Sequence, residues 1–272
     1  MTRKRLTQIF PFLIPIRQKQ RTFCFYLAME MDRHTYAHSR SERPLPYVLH
    51  HAQFPLINYE SGYDLVYQQN KVHNLQLVAQ TMDGLLIRPG ETFSFWQQAR
   101  WADRETPYKE GLCLVDGKIT GKLGGGVCQI SDLCYWLFLH TPLTVVERHP
   151  HAVKDFPTNN IPPGADATIH EGWLDLKVKN ETNATYQLRF SFDEDIHGDI
   201  LCDQKPLYRY TVDSRDLTYL KKGAAVYEQV AVFQKQEDAQ SGEIVNERLL
   251  YKDCCKIGFM PPPGSRLLTI YD

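Results

Sequence analysis

The segment Gly121-Lys122-Leu123-Gly124-Gly125-Gly126-Val127-Cys128 constrains this chain more than any other. Its three consecutive glycines let the backbone turn sharply and approach a ligand closely, and they run directly into an apolar stretch, Val127 to His140, with helical spacing. The pattern predicts a helix that starts at this loop with Cys128 in its first turn. Free N–H groups at a helix start stabilise negative charge, whether a thiolate or a developing oxyanion, so Cys128 is a candidate nucleophile.

Periodicity extends the reading along the chain. Leu65, Val66, Val72, Leu75, Val78, Ala79 and Met82 recur at three- and four-residue steps, which predicts an amphipathic helix over Ser61 to Asp83, closed by Gly84. Thr92 to Trp96 reads as a strand. Leu112 to Val115 and Ile119 to Leu123 read as a hairpin about Asp116-Gly117. Pro142 breaks the Cys128 helix, and Leu143 to Arg148 resumes as a strand rich in β-branched residues. Short strands are expected at Ala167 to Ile169, Trp173 to Val178, Thr185 to Phe192, Ile200 to Asp203, Ala225 to Gln234 and Ile244 to Lys252, with a turn at Asp195 to Gly198. The result is an α+β chain forming a single compact domain with a β-rich second half. Residues 1–60 read as a basic, proline-punctuated leader, helical over Gln18 to Met31 and loop over Ser39 to Pro55. Residues 61–272 read as the domain itself, with a β-rich C-terminal part from about residue 200.

Composition narrows the function. At 272 residues with 43% hydrophobic side chains the chain can bury a sizeable core, and 31 basic against 32 acidic residues create no global field for nucleic acid. Seven cysteines at irregular spacing, two of them the adjacent Cys254 and Cys255, make a poor disulfide framework and read as reduced thiols, which favours the cytoplasm. The apolar run Ile9 to Ile16 holds two prolines and stops at Arg17, too short for a secretory signal or a membrane span. With Phe23 to Met31 it gives residues 1–31 a basic, amphipathic character suited to weak contact with a membrane surface.

A cysteine acyltransferase needs a thiolate, a base, a group that orients the base, and donors aimed at the oxyanion. The N–H groups around Gly124, Gly125, Gly126 and Gln129, with the Gln129 side chain, are candidate oxyanion donors. His149 and His151 in Glu147-Arg148-His149-Pro150-His151 would share one face of a strand and both approach Cys128. Asp166 or Asp175 is the candidate orienting carboxylate, and Arg148 a candidate for a substrate carboxylate. No cofactor is implied, because the glycine loop lacks the lysine and hydroxyl residue of a phosphate loop.

Gly-Gly-Gly-Val-Cys-Gln-Ile-Ser followed by Glu-Arg-His-Pro-His is similar to the signature of the VanW family. The resemblance extends to Arg88-Pro-Gly-Glu-Thr-Phe-Ser-Phe95, Pro163-Gly-Ala-Asp-Ala-Thr168 and Asp175-Leu-Lys-Val-Lys-Asn180, over about residues 70 to 190, and the opening Arg3 to Pro15 resembles the short members found in vancomycin resistance clusters of the B type. It implies cell-wall biology: an accessory role in glycopeptide resistance, or transpeptidation of the L,D type on peptidoglycan stem peptides through the motif cysteine, with possible partner enzymes of the cell wall. Of the two histidines, His151 matches the family's. The chain departs from the family at Asp132, where a carboxylate stands within a turn of Cys128, and at Ala152, where a serine is common. An unpaired charge at Asp132 would oppose thiolate formation.

Two other readings compete. Cys128, His149 and His151 offer three zinc ligands, although no Cys-x-x-Cys pair accompanies them. Alternatively the chain binds a peptidoglycan precursor or a partner enzyme without chemistry, with aromatic walls from Phe93, Phe95, Trp96, Trp101 and Trp136; there Trp96 and Trp101, beside polar neighbours, would face the ligand and Trp136 the core.

Overall fold

The computed structural model describes residues 10–115, 118–154 and 161–270. Its helices are α1 (Ile14–Met31), α2 (Leu65–Gln80), α3 (Phe95–Ala99) and α4 (Cys128–Leu139). Its strands are β1 (Thr35–Tyr36), β2 (Tyr47–Pro55), β3 (Leu86–Ile87), β4 (Glu91–Ser94), β5 (Glu110–Val115), β6 (Lys118–Leu123), β7 (Thr144–Glu147), β8 (Val153–Lys154), β9 (Lys177–Lys179), β10 (Tyr186–Phe192), β11 (Asp195–Cys202), β12 (Tyr208–Lys222), β13 (Ala225–Asp238), β14 (Ile244–Ile257) and β15 (Leu267–Ile270). The class is α+β, and the strands form sheets ordered β1-β4-β9-β7, β2-β11-β10-β3 and β15-β12-β13-β14-β8, plus the hairpin β5-β6.

Helix α4 is the centre of the core. Ile130, Leu133 and Leu137 are fully buried, and Phe138 meets Phe93 at a ring distance of 4.9 Å. Burying each of these side chains contributes about 1.5–3 kcal/mol. The helix lies so close to β11 that a Cβ at Gly198 would stand 2.9 Å from Leu137 Cδ1, and glycine there sets the helix–sheet distance.

Helix α2 starts later than its periodicity predicts, because the Asp64 side chain accepts from the N–H of Val66 and caps it at 3.0 Å. Its buried Asn74 reaches out of the helix to the glycine loop: Nδ2 donates to the carbonyls of Gly125 and Lys109, both at 3.0 Å, and Oδ1 accepts from the Lys109 N–H at 2.8 Å. A polar residue in a buried helix position is thereby satisfied and ties the loop down.

Several predicted elements are corrected. Residues 47–55 form β2 rather than loop, because they pair antiparallel with β11, a partner nearly 150 residues away that no local signal announces. Residues 195–198 belong to that strand rather than to a turn. The strand at Thr92–Trp96 ends at Ser94, whose hydroxyl caps α3 by accepting from the Gln97 N–H at 3.2 Å. Residues 167–169 and 173–176 are irregular, joined by a bridge between His170 and Leu174, and only Lys177–Lys179 continues as strand. The hairpin stands as β5-β6, its Asp116-Gly117 turn lying outside the described residues. No helix among the described residues is long and apolar enough to cross a membrane.

Candidate functional site

The site forms where the first turn of α4 meets two irregular segments, 148–152 and 163–169. Glycines make the approach possible. Gly124 and Gly126 hold φ of 74° and 88°, and a Cβ on Gly125 would stand 2.1 Å from the Gly111 carbonyl oxygen, so the loop presses against β5 with no room for a side chain. Cys128 then enters at the first position of α4, half-buried.

The second segment wraps that turn. Ser131 Oγ donates to the Ala167 carbonyl at 2.6 Å, the Ala167 N–H donates to Asp132 Oδ1 at 2.7 Å, and the Cys128 sulfur lies 3.9 Å from both Thr168 Oγ1 and the Ile169 carbonyl. The Thr168 N–H donates to the His149 carbonyl at 2.8 Å, which fixes the two segments to each other. Asp132 is therefore paired with the Ala167 N–H, and burial raises its carboxyl to about 7.

His151 is held from two sides. Asp166 Oδ2 accepts from the His151 backbone N–H at 2.7 Å and meets the ring Nδ1 at 2.6 Å, while the following residues, β8, pair parallel with β14 through Val153 and Lys256. Burial alone would lower the imidazole pKa. The hydrogen bond to Asp166 and the interaction with the Cys128 thiol outweigh it and hold His151 well above its ordinary value, which favours the imidazolium. Burial would likewise raise the Asp166 carboxyl, yet His151 and Arg148 hold it well below the usual carboxylate range.

Beneath Asp166 lies Arg148. Its Nη2 donates to Asp253 Oδ2 at 2.8 Å and to the Gly164 carbonyl at 2.9 Å, its Nε donates to the Asp166 carbonyl at 2.6 Å, and its guanidinium lies 4.7 Å from the Tyr251 ring centroid. Tyr251 donates to the Gly164 carbonyl and accepts from Tyr135, both at 2.9 Å. A Cβ at Gly164 would meet Val230 Cγ1 at 2.6 Å, so this segment lies flat on β13. The third sheet is thus the platform on which the histidine and its carboxylate are mounted.

Of the residues singled out from sequence, the structure gathers Cys128, His151 and Asp166. Others are placed differently. His149 and His151 do not share a strand face, since β7 ends at Glu147; His149 Nε2 meets Glu147 Oε1 at 3.0 Å, away from the cysteine. Arg148 spends its donors inside the protein. The N–H groups of Gly124 and Gly125 are taken by the carbonyls of Lys109 and Lys122, and the Gln129 amide donates to the Pro55 carbonyl at 2.7 Å, which leaves Gly126, Val127 and Cys128 as the loop N–H groups without a protein acceptor among the described residues. Asp175 serves Ser94 at 2.6 Å and the Trp96 N–H at 3.1 Å rather than either histidine. The Trp96 indole N–H is used by the Leu174 carbonyl, Phe93 and Phe95 are core, Trp136 packs half-buried beside His50 and His140, and Trp101 is exposed. No group of three or more His, Cys, Asp or Glu side chains among the described residues is gathered to hold a metal, so the three-ligand set of Cys128, His149 and His151 does not assemble.

Comparison with known proteins decides the family. A protein-family profile described as VanW like protein matches residues 70–201, and the chain is 48% identical over 268 residues, 97% of both chains, to the vancomycin B-type resistance protein VanW of Enterococcus faecalis strain ATCC 700802 / V583. The chain belongs to the VanW family. It is also 32% identical over 121 residues, 44% of this chain and 39% of the relative, to the uncharacterized protein YoaR of Bacillus subtilis strain 168. No solved structure matches. The VanW profile spans Cys128, His151 and Asp166 but stops before Asp253 and Tyr251, so strands β12 to β15 of the third sheet lie outside it and only β8 falls within.

Sequence reasoning missed Lys71, whose stem crosses the glycine loop, and the Arg148–Asp253 pair. Lys71 sits in the middle of a periodic helix, where a charge reads as a solvated face, and nothing in spacing ties residue 148 to residue 253.

Proposed function

We propose that this VanW protein is a cysteine acyltransferase acting on peptidoglycan stem peptides in support of vancomycin resistance, the trait named in its relative of 48% identity. The observation that carries the reading is the series Cys128, His151, Asp166: a thiol at the start of a helix, an imidazolium against it, and a buried carboxylate fixing the imidazole through Nδ1. The Cys128 thiolate attacks a peptide carbonyl carbon, and the N–H groups of Gly126, Val127 and Cys128 stabilise the oxyanion. As the C–N bond breaks, the leaving amine takes the proton of the His151 imidazolium and a thioester remains. A second amine, or water, then adds to the thioester, its proton passes to His151, and breaking of the C–S bond regenerates the thiolate. Asp166 keeps Nε2 directed at the reacting atoms throughout.

All seven cysteines are unpaired, which suits action on cytoplasmic precursors. The test is incubation of purified protein with a synthetic stem pentapeptide, followed by mass spectrometry of intact protein and peptide. The expected result is an acyl adduct on Cys128 that is absent from Cys128→Ala and His151→Ala. A Cys128→Ala protein that processes the peptide and supports resistance as well as the native chain does would overturn the reading and leave a binding role.

A further inference from the structure

One half-buried cation near this site has no role in the chemistry above. Lys71 projects from α2 one turn before Asn74, and its stem lies across the glycine loop: a Cβ on Gly126 would stand 2.3 Å from Lys71 Cγ and 2.8 Å from Cδ. Tyr67, one turn earlier, packs as closely on Gly121, where a Cβ would meet its ring at 2.9 Å. The face Tyr67–Lys71–Asn74 therefore lies along the strand and loop that lead to Cys128. The side chain is half-buried, yet it makes no hydrogen bond or ion pair among the described residues. No buried side-chain nitrogen or oxygen among them lacks a partner, so the Lys71 ammonium has its tip open to solvent while its stem is covered. Burial lowers its pKa to about 8, with no neighbouring charge to offset the loss of water. A half-covered ammonium without a counter-ion costs free energy that its pairing with an anion from solution recovers.

We propose that Lys71 is a carboxylate-binding residue, holding an acidic group of the peptide ligand over Gly126 as that ligand reaches Cys128. Arg148, the carboxylate partner expected from sequence, is already engaged with Asp166 and Asp253, whereas Lys71, whose stem lies over Gly126, has no ion-pair partner among the described residues. The inference rests on the ligand lying at Cys128.

The test compares alkylation of Cys128 by iodoacetate, which carries a carboxylate, with iodoacetamide, which does not, using the exposed Cys24 as internal reference. Relative to Cys24, Cys128 is expected to favour iodoacetate, and Lys71→Met, which keeps the stem over Gly126, to lower that preference about tenfold while the iodoacetamide rate holds. The preference should fade as pH rises through about 8, where Lys71 loses its proton. Reductive methylation of Lys71, read by peptide mass spectrometry, is expected to slow in the presence of N-acetyl-D-alanyl-D-alanine and not of its C-terminal amide. An unchanged reagent preference in Lys71→Met, together with methylation indifferent to the peptide, would overturn the proposal. If Cys128 is inert to both reagents the nucleophile reading fails, and protection of Lys71 alone decides its role.

A second inference rests on α1. Its inner side packs on the domain through the buried Tyr26 and Met29, with Tyr26 donating to Glu171 at 2.9 Å. Its outer side carries Ile16, Phe23, Leu27 and Met31, all exposed and, at steps of seven, four and four residues, on one stripe. Arg17, Lys19 and Arg21 are the charges of the helix before Glu30, and Arg21 lies 5.0 Å from the ring of the exposed Trp173. We infer that this stripe docks on an anionic lipid surface, where apolar side chains enter the boundary, basic ones meet headgroups and tryptophan sits at the interface. Co-sedimentation should show binding to vesicles of phosphatidylcholine with phosphatidylglycerol and little to phosphatidylcholine alone. Phe23→Glu with Leu27→Glu should abolish it without moving the melting temperature. Equal sedimentation of that variant, or a dimer in solution that dissociates on these substitutions, would overturn the inference.

Discussion

The two ends of α4 shift their histidines in opposite directions. At its start, His151 meets Asp166 and its pKa rises; at its end, His140 stacks on His50 at a ring distance of 3.5 Å beside Trp136, and burial lowers both imidazoles, His50 to about 4. Desolvation acts in the same direction at both ends. The partners differ, because the cysteine end receives Asp166 from the segment that wraps it and the thiol of Cys128, while the far end receives rings and a carbonyl, with His140 Nδ1 at 2.8 Å from the Trp136 oxygen. One end of the helix is built to keep a charge and the other to exclude it.

The comparison is broken most severely by removing the cation under the charged end. Arg148→Met leaves Asp253 buried without its guanidinium and Asp166 with His151 alone, and urea denaturation should show a loss of about 3–5 kcal/mol. A loss below about 1 kcal/mol would mean that water replaces the guanidinium there. Next in size, Asp166→Asn should turn His151 into a ring like His140. Its pKa, followed by NMR titration, falls below the ordinary histidine value, and any acyl transfer drops by about a hundredfold or more.

The same substitution has a signed effect on stability. His151 is raised in the folded state, so it contributes stability that is fully present below about pH 6.5 and is lost as pH rises through its folded pKa; Asp166→Asn should erase that window. At the other end the sign reverses. His50 is depressed to about 4, so the native protein should lose stability as pH falls from about 6.5 through 4, and His50→Phe should flatten that part of a plot of denaturation midpoint against pH. The smallest effect on stability is expected from Cys128→Ala. Besides its interaction with His151, that sulfur makes only weak contacts with Thr168 and Ile169 at 3.9 Å, and calorimetry should find the variant within about 1 kcal/mol of the native protein.

What was legible in the sequence was local. The glycine run and the apolar spacing after Val127 act within a few residues, and α4 and the β5-β6 hairpin form where these signals place them, while α2 forms within its periodic stretch but starts only at Leu65. The histidine pair misled, because alternation along Leu143 to His151 suggests one strand, whereas the chain leaves β7 at Glu147 to reach Asp166 and then β14. Segment 47–55 misled for a related reason: its strand exists only through β11. Lys71 has the sequence context of a solvated residue and becomes a half-buried one because the glycine loop folds over its stem.

By itself the sequence determined that a helix begins at a glycine loop and that a cysteine opens it, since helical periodicity and glycine's freedom are properties of neighbouring residues. Tertiary structure alone decided which carboxylate meets which imidazole, and therefore in which direction each histidine's pKa moves. The Arg148–Asp253 pair spans 105 residues and sits where solvent is excluded, and the energy of a charge there depends on what the fold brings beside it rather than on its own neighbours in the chain.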